Sequence, residues 1–298
     1  MATAVADTPR ADLMVEAPSS ARRQTFYKMS GSGNDFVFFV ARTGNVSRFE
    51  TTESVTRLCA RGTGVGADGV VVIRPTPAGD DADVSLRYYN ADGSRASLCG
   101  NATLCTANLA VHLGMVNPSG FRIATDAGVV RADVRDGVPG FELPPVSDAA
   151  DTVKGIPCSG SEQRLGYATA GVPHIVIRVP ELAETDVLGR GRSVRHDPAL
   201  PTGANVNFVA PLSDGSGAWQ IRTYERGVEG ETLACGTGSV ASAILLRMWG
   251  EATGDVSLRT RSGQLLTVSC VQDASSGAWL PFLRGEGRLV FTGEVGSI

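Results

Sequence analysis

Residues 88–101 read YYNADGSRASLCGN, and residues 224–237 read YERGVEGETLACGT. In both stretches a tyrosine stands eleven residues before a cysteine, and glycine and a small polar residue follow the cysteine. An alanine-rich apolar segment comes next in each case and stops at a glycine, Gly114 or Gly250. This correspondence predicts an internal duplication in which Cys99 and Cys235 hold equivalent positions.

The duplication extends beyond these two stretches at an offset of about 136 residues. Upstream, GAD at residues 66–68 corresponds to GAN at residues 203–205, and downstream residues 125–130 correspond to residues 260–265. This offset is close to one domain length and far too long for a solenoid repeat. We therefore expect two similar domains with a cleft between them.

The order of predicted elements indicates the fold class. Each half contains many short apolar segments typical of strands and one long helix-like segment, residues 102–113 in the first half and 238–249 in the second. A shorter helix is expected at residues 53–60. These patterns predict an α+β protein of two pseudo-symmetric domains, each a curled mixed or antiparallel sheet around a central helix. The active site is expected in the cleft between them.

The predicted domain boundaries follow from the repeat. Residues 24–143 together with residues 288–298 form the first domain, which carries Cys99, and residues 144–287 form the second, which carries Cys235. Residues 1–23 lack an apolar core of the signal-peptide type, so we expect a disordered extension there.

Composition excludes several classes of function. The chain has 298 residues and a net charge of −4 without a basic run, so no nucleic-acid partner is expected. Its apolar runs have strand length, which predicts no membrane association. Six cysteines without a Cys-x-x-Cys pair, and only three histidines, give no metal site and favour the cytoplasm. The two lysines, Lys28 and Lys154, lie outside glycine-rich phosphate sites, which disfavours pyridoxal phosphate as cofactor.

The two cysteines suggest a specific chemistry. A cysteine directly before a helix faces unpaired backbone N–H groups and the positive end of the helix dipole, which predicts a lowered thiol pKa. The same N–H groups bind carboxylates. Two such helix starts facing each other would hold one carboxylate and place a sulfur on each face of the adjacent carbon. A lone cysteine is usually a core residue, but two at equivalent positions favour catalysis by Cys99 and Cys235.

Six segments together resemble the diaminopimelate epimerase family over residues 24–298. They are Gly31–Phe36 (GSGNDF), Gly64–Gly69 (GVGADG), Asn90–Ser94 (NADGS), Cys99–Asn101 (CGN), Glu225–Gly227 (ERG) and Glu231–Gly238 (ETLACGTG). The resemblance implies a two-base epimerase without a cofactor that interconverts LL- and meso-2,6-diaminopimelate in lysine and cell-wall precursor synthesis. It also implies a homodimer.

The resemblance also implies roles for individual residues. Cys99 and Cys235 match the family's catalytic pair. Gly100, Asn101, Gly236 and Thr237 match the segments that hold the reacting carboxylate. The other positions match residues that grip the substrate, the last four mainly at its distal amino-acid end: Asn34, Asn90, Asn205, Glu225 and Arg226.

Some positions depart from the family pattern. Val172 stands where the family often has asparagine, and Gly69 where some members have a polar side chain. Ala102 and Leu104 replace a glycine and an arginine, and Glu229 resembles a one-residue insertion. These departures keep open a related racemase for another amino acid and a non-catalytic ligand-binding homologue. His174, close to Val172, is expected to be structural.

Overall fold

The computed structural model describes residues 23–42 and 46–296. Its helices are α1 (Thr52–Cys59), α2 (Gly100–His112), α3 (Val187–Arg195), α4 (Gly236–Met248) and a 3-10 turn at Ser47–Phe49. The strands of the first half are β1 (Gln24–Gly31), β2 (Asn34–Val40), β3 (Gly69–Pro75), β4 (Val84–Asn90), β5 (Arg95–Ala96), β6 (Phe121–Thr125), β7 (Gly128–Arg135) and β8 (Val138–Glu142). The remaining strands are β9 (Ala149–Ala150), β10 (Arg164–Ala170), β11 (Val172–Arg178), β12 (Asn205–Pro211), β13 (Trp219–Glu225), β14 (Gly230–Thr232), β15 (Val256–Arg259), β16 (Leu265–Gln272), β17 (Trp279–Arg284) and β18 (Arg288–Val295).

Strand pairing repeats in the two halves. In the first half the order is β18-β1-β2-β3-β4-β6-β7-β8, antiparallel except for the β2–β3 and β4–β6 pairs. In the second half the order is β9-β10-β11-β12-β13-β15-β16-β17, antiparallel except for the β11–β12 and β13–β15 pairs. Because parallel pairs fall at the same places in both series, the predicted duplication and α+β class are confirmed.

The halves join through their last strands. β8 and β17 pair antiparallel, with Phe141 opposite Leu283. β18, which follows β17 in the chain, returns to the first half and pairs with β1, while β9, which follows β8, pairs with β10 of the second half. The division into residues 24–143 with 288–298 and residues 144–287 stays a prediction. The predicted disorder of residues 1–23 lies outside the described residues except for Arg23, which forms an exposed ion pair with Glu294.

The helices α2 and α4 form the centre of the two halves. Their sequences are apolar on nearly all faces, which is typical of a helix surrounded by sheet. Leu104 and Leu109 of α2 and Ile244 and Leu246 of α4 belong to one continuous hydrophobic core that spans both halves. This shared core fixes the start of each helix relative to the other.

The predicted helices α1, α2 and α4 are confirmed to within two residues, but α3 was not predicted. Gly189 and Gly191 weaken its helical pattern, and Gly191 is required because a Cβ there would lie 2.6 Å from Cβ of Tyr224. The Asp186 side chain caps α3 by accepting a hydrogen bond from the Gly189 N–H at 2.8 Å. Residues 181–185, which precede α3, form a loop. No helix within residues 23–42 and 46–296 is long and apolar enough to span a membrane.

Candidate active site

The two cysteines occupy equivalent helix starts. Cys99 is the N-cap of α2 with φ −131° and ψ 118°, and Cys235 is the N-cap of α4 with φ −136° and ψ 109°. This extended conformation before the first helical turn leaves the following N–H groups unpaired within the helix. The local geometry predicted from the repeat is therefore present at both positions.

The two helix starts meet at their glycines. A Cβ on Gly100 would lie 3.8 Å from Cα of Gly236, and a Cβ on Gly236 would lie 3.8 Å from Cα of Gly100. Leu283 of β17 lies against both glycines. Its Cδ2 would be 3.6 Å from a Cβ on Gly100 and 3.1 Å from a Cβ on Gly236. The central β8–β17 junction thus supports both helix starts, and their N–H groups converge on one place.

One cleft of about 780 Å³ contains this place. It is lined by all the residues that were predicted from the sequence as site residues: Asn34, Asn90, Cys99, Gly100, Asn101, Asn205, Glu225, Arg226, Cys235, Gly236 and Thr237. They come from both halves of the chain. A larger groove of about 950 Å³ contains none of them, and its Arg135, Arg259 and Arg284 are already paired with carboxylates.

Cys235 is buried and Cys99 is partly buried, and hydrogen-bond donors lie near the Cys235 sulfur. The Gly238 N–H donates to Cys235 Sγ at 3.4 Å, and the Thr237 hydroxyl lies 3.6 Å from the same sulfur. Burial nevertheless raises the pKa of Cys235 to about 12, and the Glu225 carboxylate adds to the rise. Burial likewise raises the pKa of Cys99 to about 11, opposed by the backbone N–H groups of Ala102 and Asn101.

The expected lowering of the thiol pKa is therefore wrong for the unliganded protein. The helix starts and their N–H groups are present, but removal of the sulfurs from water outweighs them. Burial cannot be recognised from the local motif, because it arises from the packing of both halves around Cys99 and Cys235. Both cysteines are thiols at neutral pH in this state.

A group of charged and amide side chains lines the cleft close to Cys235. Burial raises the pKa of the Glu225 carboxyl, and the neighbouring Thr232 hydroxyl opposes this rise. Asn205 is buried and accepts a hydrogen bond from the backbone N–H of Arg226 at 2.7 Å, while the Arg226 guanidinium donates to Thr202 O at 3.1 Å. The turn that carries Glu225 and Arg226 is thereby held against Asn205. An anion and a fork-shaped cation side by side can bind an amino-acid group.

Another part of the cleft wall is built from amide side chains held by hydrogen bonds. Asn34 donates from Nδ2 to Asp68 Oδ2 at 3.0 Å and accepts at Oδ1 from Asn101 Nδ2 at 2.7 Å. Arg61 donates to the other oxygen of Asp68 at 2.9 Å. Asn90 is tied to Ser94, whose hydroxyl accepts from Asn90 Nδ2 at 3.0 Å. These contacts hold the cleft-lining amides in defined orientations.

Sequence reasoning missed four polar residues that line the cleft, Asp68, Tyr88, Ser97 and Thr232. Asp68 and Tyr88 belong to segments that define the repeat, so their place in the repeat could have identified them as site residues. Gly69 has no room for a side chain, because a Cβ there would lie 2.5 Å from Cε2 of Tyr88. Tyr88 thus fills the space beside Gly69, where some family members have a polar side chain.

The remaining sequence expectations concern two neighbours in β11. Val172 lines the cleft, as its position in the motif suggested. His174 is fully buried, and burial lowers its pKa to about 3, so the ring is neutral. Its Nδ1 lies 3.2 Å from Asn207 Nδ2. The contact and the burial fit the expected structural role for His174.

The sequence model of the family described as diaminopimelate epimerase matches residues 26–139 and 166–282. The chain belongs to the diaminopimelate epimerase family. A relative named diaminopimelate epimerase from Gemmatimonas aurantiaca is 45% identical over 92% of this chain and 100% of that relative. Another of the same name, from Aquifex aeolicus, is 36% identical over 91% of this chain and 97% of that relative.

Solved structures share the fold of this family member at low sequence identity. A phenazine biosynthesis protein of the PhzF family from Bacillus anthracis superposes with a TM-score of 0.72 at 14% identity, covering 92% of this chain and 99% of that one. A hydroxyproline epimerase from Agrobacterium vitis, with bound trans-4-hydroxy-L-proline, superposes with a TM-score of 0.66 at 19% identity, covering 92% of this chain and 93% of that one. At these identities the likeness establishes the fold alone.

Proposed function

We propose that this member of the diaminopimelate epimerase family is an isomerase that interconverts LL- and meso-2,6-diaminopimelate, with Cys99 and Cys235 as the two acid–base groups. One observation carries the proposal: two cysteine-preceded helix starts meet in one cleft that also contains Glu225 and Arg226. Relatives with the matching name at 45% and 36% identity support the substrate. The product serves lysine and cell-wall precursor synthesis, as the family resemblance implies.

In the proposed reaction a thiolate removes the α-proton from one face of the substrate, and the opposite thiol delivers a proton to the other face. The first sulfur ends as thiol and the second as thiolate, so no other proton source is needed. Negative charge develops on the substrate carboxylate during the reaction. The N–H groups at Gly100, Asn101, Gly236 and Thr237 would meet that charge in a water-poor cleft.

The raised thiol pKa values give the ligand an additional role. Both thiols are protonated in the unliganded cleft, where burial disfavours the thiolate. An amino acid brings an ammonium cation next to the sulfurs, and a nearby positive charge lowers a thiol pKa. We infer that substrate binding creates the reactive thiolate, with the proton of that thiol released to solvent before the cleft closes. The two sulfurs would then titrate as one coupled pair.

We assign the distal end of the substrate to charged and amide side chains of the cleft wall. Arg226 offers a two-pronged donor for the distal carboxylate and Glu225 an anion for the distal ammonium. Asn90 and Asn205 offer both donors and acceptors. Binding at this end would favour the closed cleft and exclude water from the reacting end.

The direct test is hydrogen exchange at the substrate α-carbons in deuterated water. We expect NMR to show incorporation of deuterium at C2 or C6 of LL- and meso-diaminopimelate, together with conversion of each isomer into the other. Protein that binds the substrate but exchanges no α-hydrogen would rule out the proposed activity and favour a non-catalytic ligand-binding protein.

A second candidate function is racemisation of another amino acid by the same two thiols. Val172 favours it, because this apolar side chain lines the cleft and cannot hydrogen-bond a distal polar group. A panel of single amino acids in the same exchange experiment separates the two candidates. Exchange in a single amino acid that exceeds exchange in diaminopimelate would favour the second.

We also propose a homodimer in the cytoplasm. β18 pairs only with β1 among the described strands and presents Val290 and Phe291 half-exposed to solvent, and such strand edges are pairing surfaces. All six cysteines are free thiols, which fits a reducing compartment. Sedimentation velocity tests the dimer, and a monomer at micromolar concentration would exclude it. Fractionation of cells tests the location.

A further inference from the structure

A chain of three polar side chains leads into the cleft and ends on an unpartnered oxygen. Asp68 accepts from Asn34 Nδ2 at 3.0 Å, and Asn34 accepts from Asn101 Nδ2 at 2.7 Å. Asn101 is only 4% exposed and lines the cleft. Its Oδ1 is buried and has no hydrogen-bond partner among the described residues. Buried polar atoms in native proteins are nearly always paired, so this oxygen lacks a donor, which a ligand group bound beside Asn101 would supply.

The Asp68 carboxylate determines which group donates and which accepts in each hydrogen bond of this series. A carboxylate oxygen can only accept, so Asp68 requires the NH₂ group of Asn34 to face it. Asn34 then presents its oxygen to Asn101, and Asn101 must present its own NH₂ group to Asn34. The remaining free group of Asn101 is an acceptor. Without Asp68, either amide could turn by 180° and leave a donor instead.

Asp68 itself is held from two sides. Its Oδ2 also accepts from the backbone N–H of Asp35 at 3.2 Å, and its Oδ1 accepts from the guanidinium of Arg61 at 2.9 Å. Asp35 is anchored in turn by the buried Lys28 at 2.7 Å. The backbone N–H is a donor that no side-chain rotation can reverse, so the orientation at Asp68 Oδ2 is fixed by the main chain.

We propose that Asp68 is a positioning residue that sets Asn101 Oδ1 as the acceptor for the ammonium group on the reacting carbon of the substrate. Asn101 stands two residues after Cys99, at the end of the cleft where the carboxylate of that carbon is placed. The backbone of α2 would hold this carboxylate while the side chain of Asn101 binds the adjacent ammonium. This inference rests on the proposed function.

The test compares two substitutions with two ligands. Asp68→Ala removes the acceptor that orients Asn34. Asp68→Asn keeps it, because the backbone N–H of Asp35 holds the amide oxygen in the same place and the exposed Arg61 can move away from the amide NH₂ group. The ligands are meso-diaminopimelate and L-2-aminopimelate, which retains both carboxylates and the distal ammonium but lacks the ammonium on the reacting carbon. Dissociation constants come from titration calorimetry, and thermal unfolding verifies that both variants are folded.

We expect Asp68→Ala to weaken binding of meso-diaminopimelate by about tenfold to a hundredfold, the range for loss of one hydrogen bond to a charged group. Binding of L-2-aminopimelate should change less than about threefold. Asp68→Asn should bind both ligands like the wild type. Equal weakening of both ligands by Asp68→Ala would show a general structural effect and overturn the proposal. Equal weakening by both substitutions would show that charge matters rather than orientation, and would overturn it as well.

The same titration separates this inference from the proposed function. Wild-type protein that binds meso-diaminopimelate without α-hydrogen exchange would defeat the epimerase reaction, while the pattern of the two variants would still confirm or overturn the orienting role of Asp68. Wild-type protein that binds L-2-aminopimelate as tightly as meso-diaminopimelate would defeat the assignment of Asn101 Oδ1 to the ammonium.

Discussion

Gly100 and Gly236 face each other so closely that a β-carbon on either would lie 3.8 Å from the Cα of the other. This contact brings together the starts of α2 and α4, which belong to different halves of the chain. It therefore places two N-capping cysteines beside one small volume. Any side chain larger than hydrogen at these positions would enter the space between the two helix starts.

Substitution of these glycines tests whether that space is needed for substrate. At position 100 a methyl group would make ordinary contacts, 3.6 Å from Leu283 Cδ2, so we expect Gly100→Ala to fold with a melting temperature within a few degrees of wild type. Turnover should fall at least tenfold, since the methyl group displaces the carboxylate from the N–H groups. Gly120→Ala is the matched control, because a Cβ there meets nothing within 4 Å. Unchanged kcat/KM in Gly100→Ala would contradict the assigned carboxylate position.

Replacement of either proposed acid–base group should abolish epimerisation while preserving the fold. We expect Cys99→Ser and Cys235→Ser to lose about 10²- to 10⁴-fold in kcat/KM, the range for loss of a general acid or base. Circular dichroism and thermal melting should stay close to wild type, because serine is nearly isosteric. Cys158→Ser provides the control, since Cys158 is exposed and lies outside the cleft. Full activity in Cys235→Ser would exclude the two-base mechanism.

The raised thiol pKa values predict slow alkylation of the unliganded protein. With a pKa of about 11 rather than 9.0, Cys99 carries roughly a hundredfold less thiolate at pH 8 than an ordinary thiol. Iodoacetamide labelling of Cys99 and Cys235, followed by peptide mass spectrometry, should therefore be slow near neutral pH and accelerate up to pH 11. Labelling at pH 7 as fast as that of free cysteine would show that the helix starts outweigh burial.

The same shifts predict how folding stability depends on pH. A thiol whose pKa is higher in the folded state binds its proton more tightly there than in the unfolded state. Its contribution to the free energy of unfolding is therefore complete below about pH 9 and is lost as pH rises through the pKa of the folded state. Urea unfolding of the wild type should thus show a falling free energy of unfolding between pH 9 and 11. The double variant Cys99→Ser/Cys235→Ser should show a shallower decline. Identical slopes in the two proteins would contradict the raised values.

Close approach of the two helix starts predicts sensitivity to oxidation. We expect a mild oxidant to join Cys99 to Cys235 and to stop turnover, with recovery after addition of dithiothreitol. Mass spectrometry of non-reduced peptides would identify the cross-link, and Cys99→Ser should prevent it. Activity that resists oxidant in the absence of reductant would show that the sulfurs do not come within bonding reach.

Local patterns were sufficient for much of the fold. The central helices were predicted because residues 102–113 and 238–249 are long and apolar, and the duplication because cysteine, glycine and tyrosine recur at fixed spacing. The short strands β5, β8, β9 and β14 were not predicted. β5, β9 and β14 have only two or three residues, which carry no periodic signal, and β8 contains Pro139 and Gly140, residue types that are depleted in strands. α3 was missed because Gly191 serves a tertiary contact with Tyr224 at the expense of helix propensity.

The sequence by itself determined that two equivalent cysteine-capped helices exist, because capping and apolar periodicity are local properties that a repeat displays twice. Only the tertiary structure decided the ionisation of these cysteines and the direction of the amide chain from Asp68 to Asn101. Thiol pKa depends on desolvation by residues from both halves, and amide orientation depends on a donor or acceptor brought from a distant segment. Long-range packing therefore sets both the thiol pKa and the amide orientation, and neither can be read from the two cysteine motifs alone.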